Sequence, residues 1–147
     1  MFRGRFLHNL DAKGRLSIPS MLRTQLQQGS NHDPILTTLR DCLGLYRFED
    51  WVQIERQIVD DVPPLLEEVQ SMQRLLISGT TEAPLDAQGR ILIPPLHREH
   101  AGLEREVIVA GVGPRIEIWN KTRFDEELAA TRKNMPTITK VVADRRS

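Results

Sequence analysis

The chain has 147 residues, 39% of them hydrophobic, and twenty Lys and Arg balance twenty Asp and Glu. That size holds one domain or two very small ones and excludes a large two-domain enzyme, and the neutral balance excludes an overall basic field as the route to nucleic acid. The lone Cys42 closes no disulfide within the chain, and no apolar run reaches the roughly 18 residues of a membrane span, so a soluble protein of the cytoplasm is expected.

An internal repeat sets the order of the elements. Leu10-Asp11-Ala12-Lys13-Gly14-Arg15-Leu16-Ser17-Ile18-Pro19 returns 75 positions later as Leu85-Asp86-Ala87-Gln88-Gly89-Arg90-Ile91-Leu92-Ile93-Pro94, with seven of ten positions identical. At the same offset Gly4 matches Gly79 and Arg23 matches Arg98. Asp and Gly are the residues of tight turns, so each copy reads as strand, turn, strand. Pro19 and Pro94 suit the first turn of a helix, which predicts helices over 20–28 and 95–101, stopped by Gly29 and Gly102. Branched and aromatic residues then predict strands over 35–38 and 42–47 in the first half, and over 106–110 and 115–119 in the second.

Between the halves, Trp51, Ile54 and Ile58 share one helical face, and after Pro63-Pro64 the set Leu65, Val69, Met72 and Leu76 repeats that spacing. A last amphipathic segment is expected over 122–133, before a tail from Pro136 expected to be poorly ordered. The resulting fold class is α+β, mainly β: two fused β-β-α-β-β repeats closing one pseudo-twofold barrel, with flanking helices. The divisions are 1–51 for the first repeat, 52–77 for a helical linker, 78–124 for the second repeat, and 125–147 for the helix end and flexible tail.

Local charge departs from the neutral total. Arg3, Arg5, Lys13, Arg15 and Arg23 face Asp11 alone in residues 1–24, whereas residues 49–68 hold seven acidic residues and only Arg56. Alternation along a strand predicts that Arg3 and Arg5 share a face, with Lys13 and Arg15 together at the turn. Two-stranded ribbons enter the DNA major groove, where Arg pairs with guanine and flanking cations hold phosphates. Arg3, Arg5, Lys13, Arg15 and Arg90 are therefore the candidate DNA contacts, and Asp11, Gly14, Asp86 and Gly89 the turn formers. An equally weighted alternative pairs Asp11 with Arg15, and Asp86 with Arg90, inside each turn. The second copy has Ser78, Thr80 and Gln88 where the first has Arg3, Arg5 and Lys13.

Other chemistry has little support in the sequence. His97 and His100 at i and i+3 lack a third ligand for zinc and read as surface or helix-end histidines. Asp11 and Asp86 read as turn residues and not as an acid–base pair. Cys42 reads as an inert buried thiol. No phosphate loop, nucleophile elbow or triad order occurs, so the chain is read as a non-enzyme with no cofactor and no small-molecule substrate.

The N-terminal Met-Phe-Arg-Gly, the Leu-Asp-Ala-Lys-Gly-Arg turn, Leu43-Gly44-Leu45-Tyr46 ahead of Trp51, and the second-copy Leu-Asp-Ala-Gln-Gly-Arg-Ile-Leu-Ile-Pro-Pro together resemble the MraZ family of bacterial transcriptional regulators, from Met1 to about Phe124. The resemblance implies an AbrB-like swapped-hairpin fold, ring-like homo-oligomers, and nucleoid-associated binding to repeated boxes in double-stranded DNA. Those boxes lie upstream of the division and cell-wall gene cluster, which the family mainly represses. A single-repeat AbrB-type antitoxin and a structural ring protein that never touches DNA are the competing classes; two repeats in one chain argue against the first.

Overall fold

Each copy of the repeated decapeptide turns through a glycine in the left-handed region, with φ of +86° at Gly14 and +76° at Gly89. In this computed structural model, which describes residues 1–146, β1 (Arg5–Asn9) and β2 (Arg15–Ser17) flank the first turn, and β5 (Thr81–Glu82) and β6 (Arg90–Leu92) flank the second. A tight turn ordinarily pairs the strands on its two sides. Here β2 pairs antiparallel with β6 as a separate two-stranded ribbon, while β1 pairs with β7 (Glu106–Val112) and β5 with β3 (Ile35–Thr38). With β4 (Leu43–Tyr46) and β8 (Arg115–Asn120), the main sheet runs β1-β7-β8-β4-β3-β5, every pair antiparallel. Exchanging each strand for its counterpart in the other half gives the same order read from the opposite edge.

Period-two alternation puts Val107, Val109, Ile116, Ile118, Leu43 and Leu45 on one side of that sheet, all fully buried, and Leu16 and Ile91 of the ribbon close over them. Burying a side chain of this size contributes about 1.5–3 kcal/mol, so this shared core binds the halves together. The helices after the ribbon add to it: α1 (Ser20–Gln27) begins after Pro19 and supplies Leu22 and Leu26, and α4 (Pro95–Ala101) has proline at its first position. Gly102, at φ +61°, ends α4 by donating its N–H to the carbonyls of Arg98 and Glu99.

Helices α2 (Phe48–Val59) and α3 (Glu67–Leu76) lie over Ile35 and Tyr46, with Trp51 and Ile58 buried and Ile54 partly so, as the spacing predicts. The hydroxyls of Thr37 and Thr38 donate to the carbonyls of Leu76 and Leu75, each at 2.6 Å, and satisfy acceptors that the end of α3 leaves unpaired. Leu65 departs from its predicted stripe: Pro63 and Pro64 delay the helix to Glu67, and Leu65 is left 87% exposed.

The C-terminus differs most from expectation. Helix α5 (Lys121–Arg146) packs Phe124 and Leu128 onto Cys42, Ile108, Ala110 and Trp119, then continues through Pro136, where a poorly ordered tail was expected. Proline removes one intrahelical donor there without ending the helix. With α5 this long, helical residues outnumber strand residues, so the fold is mixed α+β and not mainly β. Among the described residues, no helix is long and apolar enough to cross a membrane.

Candidate nucleic-acid interface

The turn is built around a carboxylate. Oδ1 of Asp11 accepts the backbone N–H of Lys13 at 2.9 Å and of Arg15 at 2.8 Å, while Oδ2 accepts Nε–H of Arg15 at 2.8 Å. Asp86 repeats the set with the N–H groups of Gln88 and Arg90, both at 2.9 Å, and Arg90 Nε–H at 3.0 Å. The backbone N–H of Arg15, then its guanidinium and the Lys13 N–H, hold the Asp11 carboxyl below its usual pKa; Arg90 and Gln88 do the same for Asp86. The intra-turn ion pair weighed against DNA contact is thus present in both copies, but it uses only Nε of each arginine. Among the described residues, the terminal nitrogens of Arg15 have no partner, whereas Nη2 of Arg90 leans on Oε1 of Gln88 at 3.4 Å.

The ribbon sets where these side chains point. Its register places Arg15 opposite Leu92, Leu16 opposite Ile91 and Ser17 opposite Arg90. Because Leu16 and Ile91 face the core, alternation turns Arg15, Ser17, Arg90 and the 57% exposed Leu92 to the outside, so both arginines stand on one face. The ribbon ends are tied across the repeats: Ile18 N–H donates to the Gly89 carbonyl at 3.0 Å, and Ile93 N–H to that of Gly14 at 2.8 Å.

Two further arginines reach these turns. Arg98 of α4 packs against the first turn, where a Cβ on Gly14 would lie 3.0 Å from its Cζ, and Arg23 of α1 lies over the second, so that a Cβ on Gly89 would push its side chain aside. Arg23 also donates through Nη1 to the Gln88 carbonyl at 3.5 Å. Each turn is therefore buttressed by the opposite repeat. The 75-residue offset aligning Arg23 with Arg98 was the available signal, and it did not say that they cross over.

Lys13, Arg15 and Arg90 are gathered on the ribbon and its turns, but Arg3 and Arg5 are not. Gly4, at φ +100°, breaks the alternation that was to put Arg3 and Arg5 on one face, and β1 begins only at Arg5. Arg3 lies beside Sδ of Met1 at 4.0 Å. The Arg5 guanidinium stands 5.9 Å from the Phe124 ring centroid, on the face α5 covers, about 14 Å along β1 from Asn9.

The histidines serve the fold, with Nε2 of His97 2.7 Å from the Gly79 carbonyl and Nε2 of His100 2.5 Å from that of Leu39. Cys42 is buried, and desolvation pushes its thiol pKa well up, which keeps it protonated at neutral pH. Among the described residues, no group of three or more His, Cys, Asp or Glu is placed to hold a metal ion.

Comparison with known proteins gives this arrangement its class, that of transcriptional regulators and not of enzymes. Residues 1–63 and 76–145 match the family described as "MraZ protein, putative antitoxin-like". A "Transcriptional regulator MraZ" of Syntrophobacter fumaroxidans is 38% identical over 97% of this chain and 94% of its own length. Proteins of the same name from Pediococcus pentosaceus and Acetivibrio thermocellus are 35% identical over 98% of both chains and 40% identical over 85% of both chains. The chain belongs to the MraZ family, as its repeated motifs had indicated.

Proposed function

We propose that this protein is a sequence-specific DNA-binding repressor that acts as an oligomer in the cytoplasm, on the nucleoid, at repeated boxes ahead of the division and cell-wall genes. The observation that carries the reading is the brace on Arg15: Asp11 takes Nε at 2.8 Å, while both terminal nitrogens, on a side chain 36% exposed, have no partner among the described residues. Guanine presents O6 and N7 in the major groove as two adjacent acceptors, which is the pattern those nitrogens fit. Lys13 is placed for a neighbouring phosphate, and each such contact steepens the log–log salt dependence of binding by about 0.9. Arg3 and Arg5, away from the ribbon, are read as longer-range phosphate contacts of the N-terminal arm, and Arg90 as the weaker base contact.

The strand order supports a swapped-hairpin barrel of the AbrB type, because the first strand of each repeat pairs with the third strand of the other. In this reading the swap places two turns beside one ribbon, a surface narrow enough for a groove. Several copies joined in one assembly would present the same ribbon repeatedly, and linked sites gain roughly 10² to 10⁴ in avidity without new contacts. Footprinting over the promoter of the protein's own operon tests the reading. Protection of two or more spaced boxes, lost on Arg15→Ala with the circular dichroism spectrum unchanged, is the expected result. No protection, or protection indifferent to Arg15 and to salt, refutes it.

A further inference from the structure

Gln88 serves both arginines of the second turn. Its side-chain Oε1 lies 3.4 Å from Nη2 of Arg90, and its backbone carbonyl accepts Nη1–H of Arg23 at 3.5 Å. The matching residue of the first turn, 75 positions earlier, is Lys13, whose side chain holds no acceptor. There the arginines go without. Nε is buried with no hydrogen-bond partner in both Arg23 and Arg98, but Arg23 has its Nη1 bond to set against that. Among the described residues, Arg98 has no hydrogen bond or ion pair at any nitrogen of its guanidinium.

The position of Arg98 gives that vacancy a meaning. A Cβ on Gly14 would lie 3.0 Å from its Cζ and 3.2 Å from its Nε, so the guanidinium rests on the residue between Lys13 and Arg15. It also lines an open cleft of about 1060 Å³, far larger than a phosphate group, whose other charged walls are Asp11, Glu99, Glu104 and Arg105. The Asp11 carboxylate is taken up by Arg15 and two backbone N–H groups, and Glu99 and Glu104 are exposed. A partly buried cation without a counter-ion is unfavourable, and a charge-assisted bond to an incoming anion relieves it.

We propose that Arg98 is a DNA-backbone phosphate contact of the first turn, so that one reading site is assembled from Lys13 and Arg15 of the first repeat and Arg98 of the second. DNA is the occupant and not a free anion, because the guanidinium stands on the turn that carries the base-reading arginine and its neighbouring cation. The second repeat then contributes to binding through a helix residue laid on the other repeat's turn. Its counterpart Arg23, held by the Gln88 carbonyl, stays a buttress. The proposal rests on the DNA-binding reading and deepens it.

The test follows the affinity of full-length chains for a duplex carrying one promoter box across a range of salt. A phosphate contact contributes about 0.9 to the log–log slope, which amounts to roughly eightfold in affinity between about 0.1 M and about 1 M salt. Arg98→Gln should lower the slope by about 0.9, bind roughly eightfold more weakly than the unaltered chain near 0.1 M salt and match it near 1 M. Arg98→Lys, which keeps the charge, should keep the slope, and so should Arg23→Gln. Arg98→Met keeps the apolar stem over Gly14 and replaces Arg98→Gln if circular dichroism shows the latter unfolded; unfolding of both makes Arg98 a structural buttress and overturns the proposal. An unchanged slope for the folded variant, whatever its affinity, also overturns it, as do equal slope changes from Arg98→Gln and Arg23→Gln. Inorganic phosphate that raises the melting temperature of the unaltered chain but not of Arg98→Gln, with the slope unmoved, overturns it in favour of a small-anion site. An unaltered chain that binds the box no better than a scrambled duplex refutes the DNA-binding reading, and the proposal with it.

Discussion

The two turns, at residues 11–15 and 86–90, carry the same hydrogen-bond scheme, atom for atom, yet face the solvent differently. In the first, the residue beside the braced arginine is Lys13, a cation with nothing to offer a guanidinium. In the second it is Gln88, whose amide oxygen lies 3.4 Å from Nη2 of Arg90. The contrast teaches that the aspartate brace belongs to turn geometry and is indifferent to ligand, whereas the residue two positions before the arginine sets how open it is. A shared motif thus leaves its two arginines open to different degrees, with side chains 36% exposed at Arg15 and 27% at Arg90.

Breaking the comparison at its strongest point should give the largest effect. On the proposed reading Arg15→Ala removes a base contact worth about 1–3 kcal/mol at every bound copy, so multi-box affinity should fall well over tenfold in a binding titration. Arg90→Ala should cost a fraction of that. Equal losses from the two would show that the brace alone decides affinity.

Stability separates the turns less. Gly14→Ala and Gly89→Ala both force a side chain into the left-handed region, at about 1–3 kcal/mol each. At Gly89 the new Cβ meets the flexible Arg23 side chain, which can swing aside, while at Gly14 it meets Arg98 and also the Ile93 carbonyl at 3.0 Å, backbone that cannot. Urea midpoints should therefore drop for both, and somewhat further for Gly14→Ala.

Acid should treat the turns alike. The folded pKa of Asp11 and Asp86 lies below the ordinary 3.8, so the folded chain holds fewer protons than the unfolded one near that pH. Their stabilisation is complete above 3.8 and is lost as pH falls through the lower folded values. Asp11→Asn and Asp86→Asn should each flatten the fall of melting temperature below about pH 4 by a similar amount, and a flattening confined to one of them would break the equivalence. Smallest of all, Gln88→Lys should make the second turn resemble the first, steepening the salt slope by up to about 0.9 per added phosphate contact.

Much of this was legible in the primary structure because it is local. The decapeptide repeat fixed both turns, the prolines set the starts of α1 and α4, and the spacing of Trp51, Ile54 and Ile58 gave the buried face of α2. Choice of strand partner was not legible from pattern, since β1 and β2 carry the same alternation whether they pair with each other or across the repeats. Crossing of Arg23 and Arg98 follows from that exchange and was hidden with it. Gly4 interrupted the alternation that was to align Arg3 with Arg5, a backbone conformation invisible in the charge pattern. The persistence of α5 beyond Pro136 also ran against the local signal, because proline at that position reads as a stop.

The pairing of β1 with β7 has a consequence for synthesis. Phe6 sits opposite Val109, so β1 leaves the ribosome well before its partner, which is made about a hundred residues later. At roughly 5 to 20 residues per second, that interval is on the order of 5 to 20 s. Meanwhile Phe6 travels on an uncovered strand, open to misassociation or to a chaperone. The nascent chain becomes secure only when its second half arrives, and a transcript truncated in the linker would release a fragment whose leading strand has no place to go.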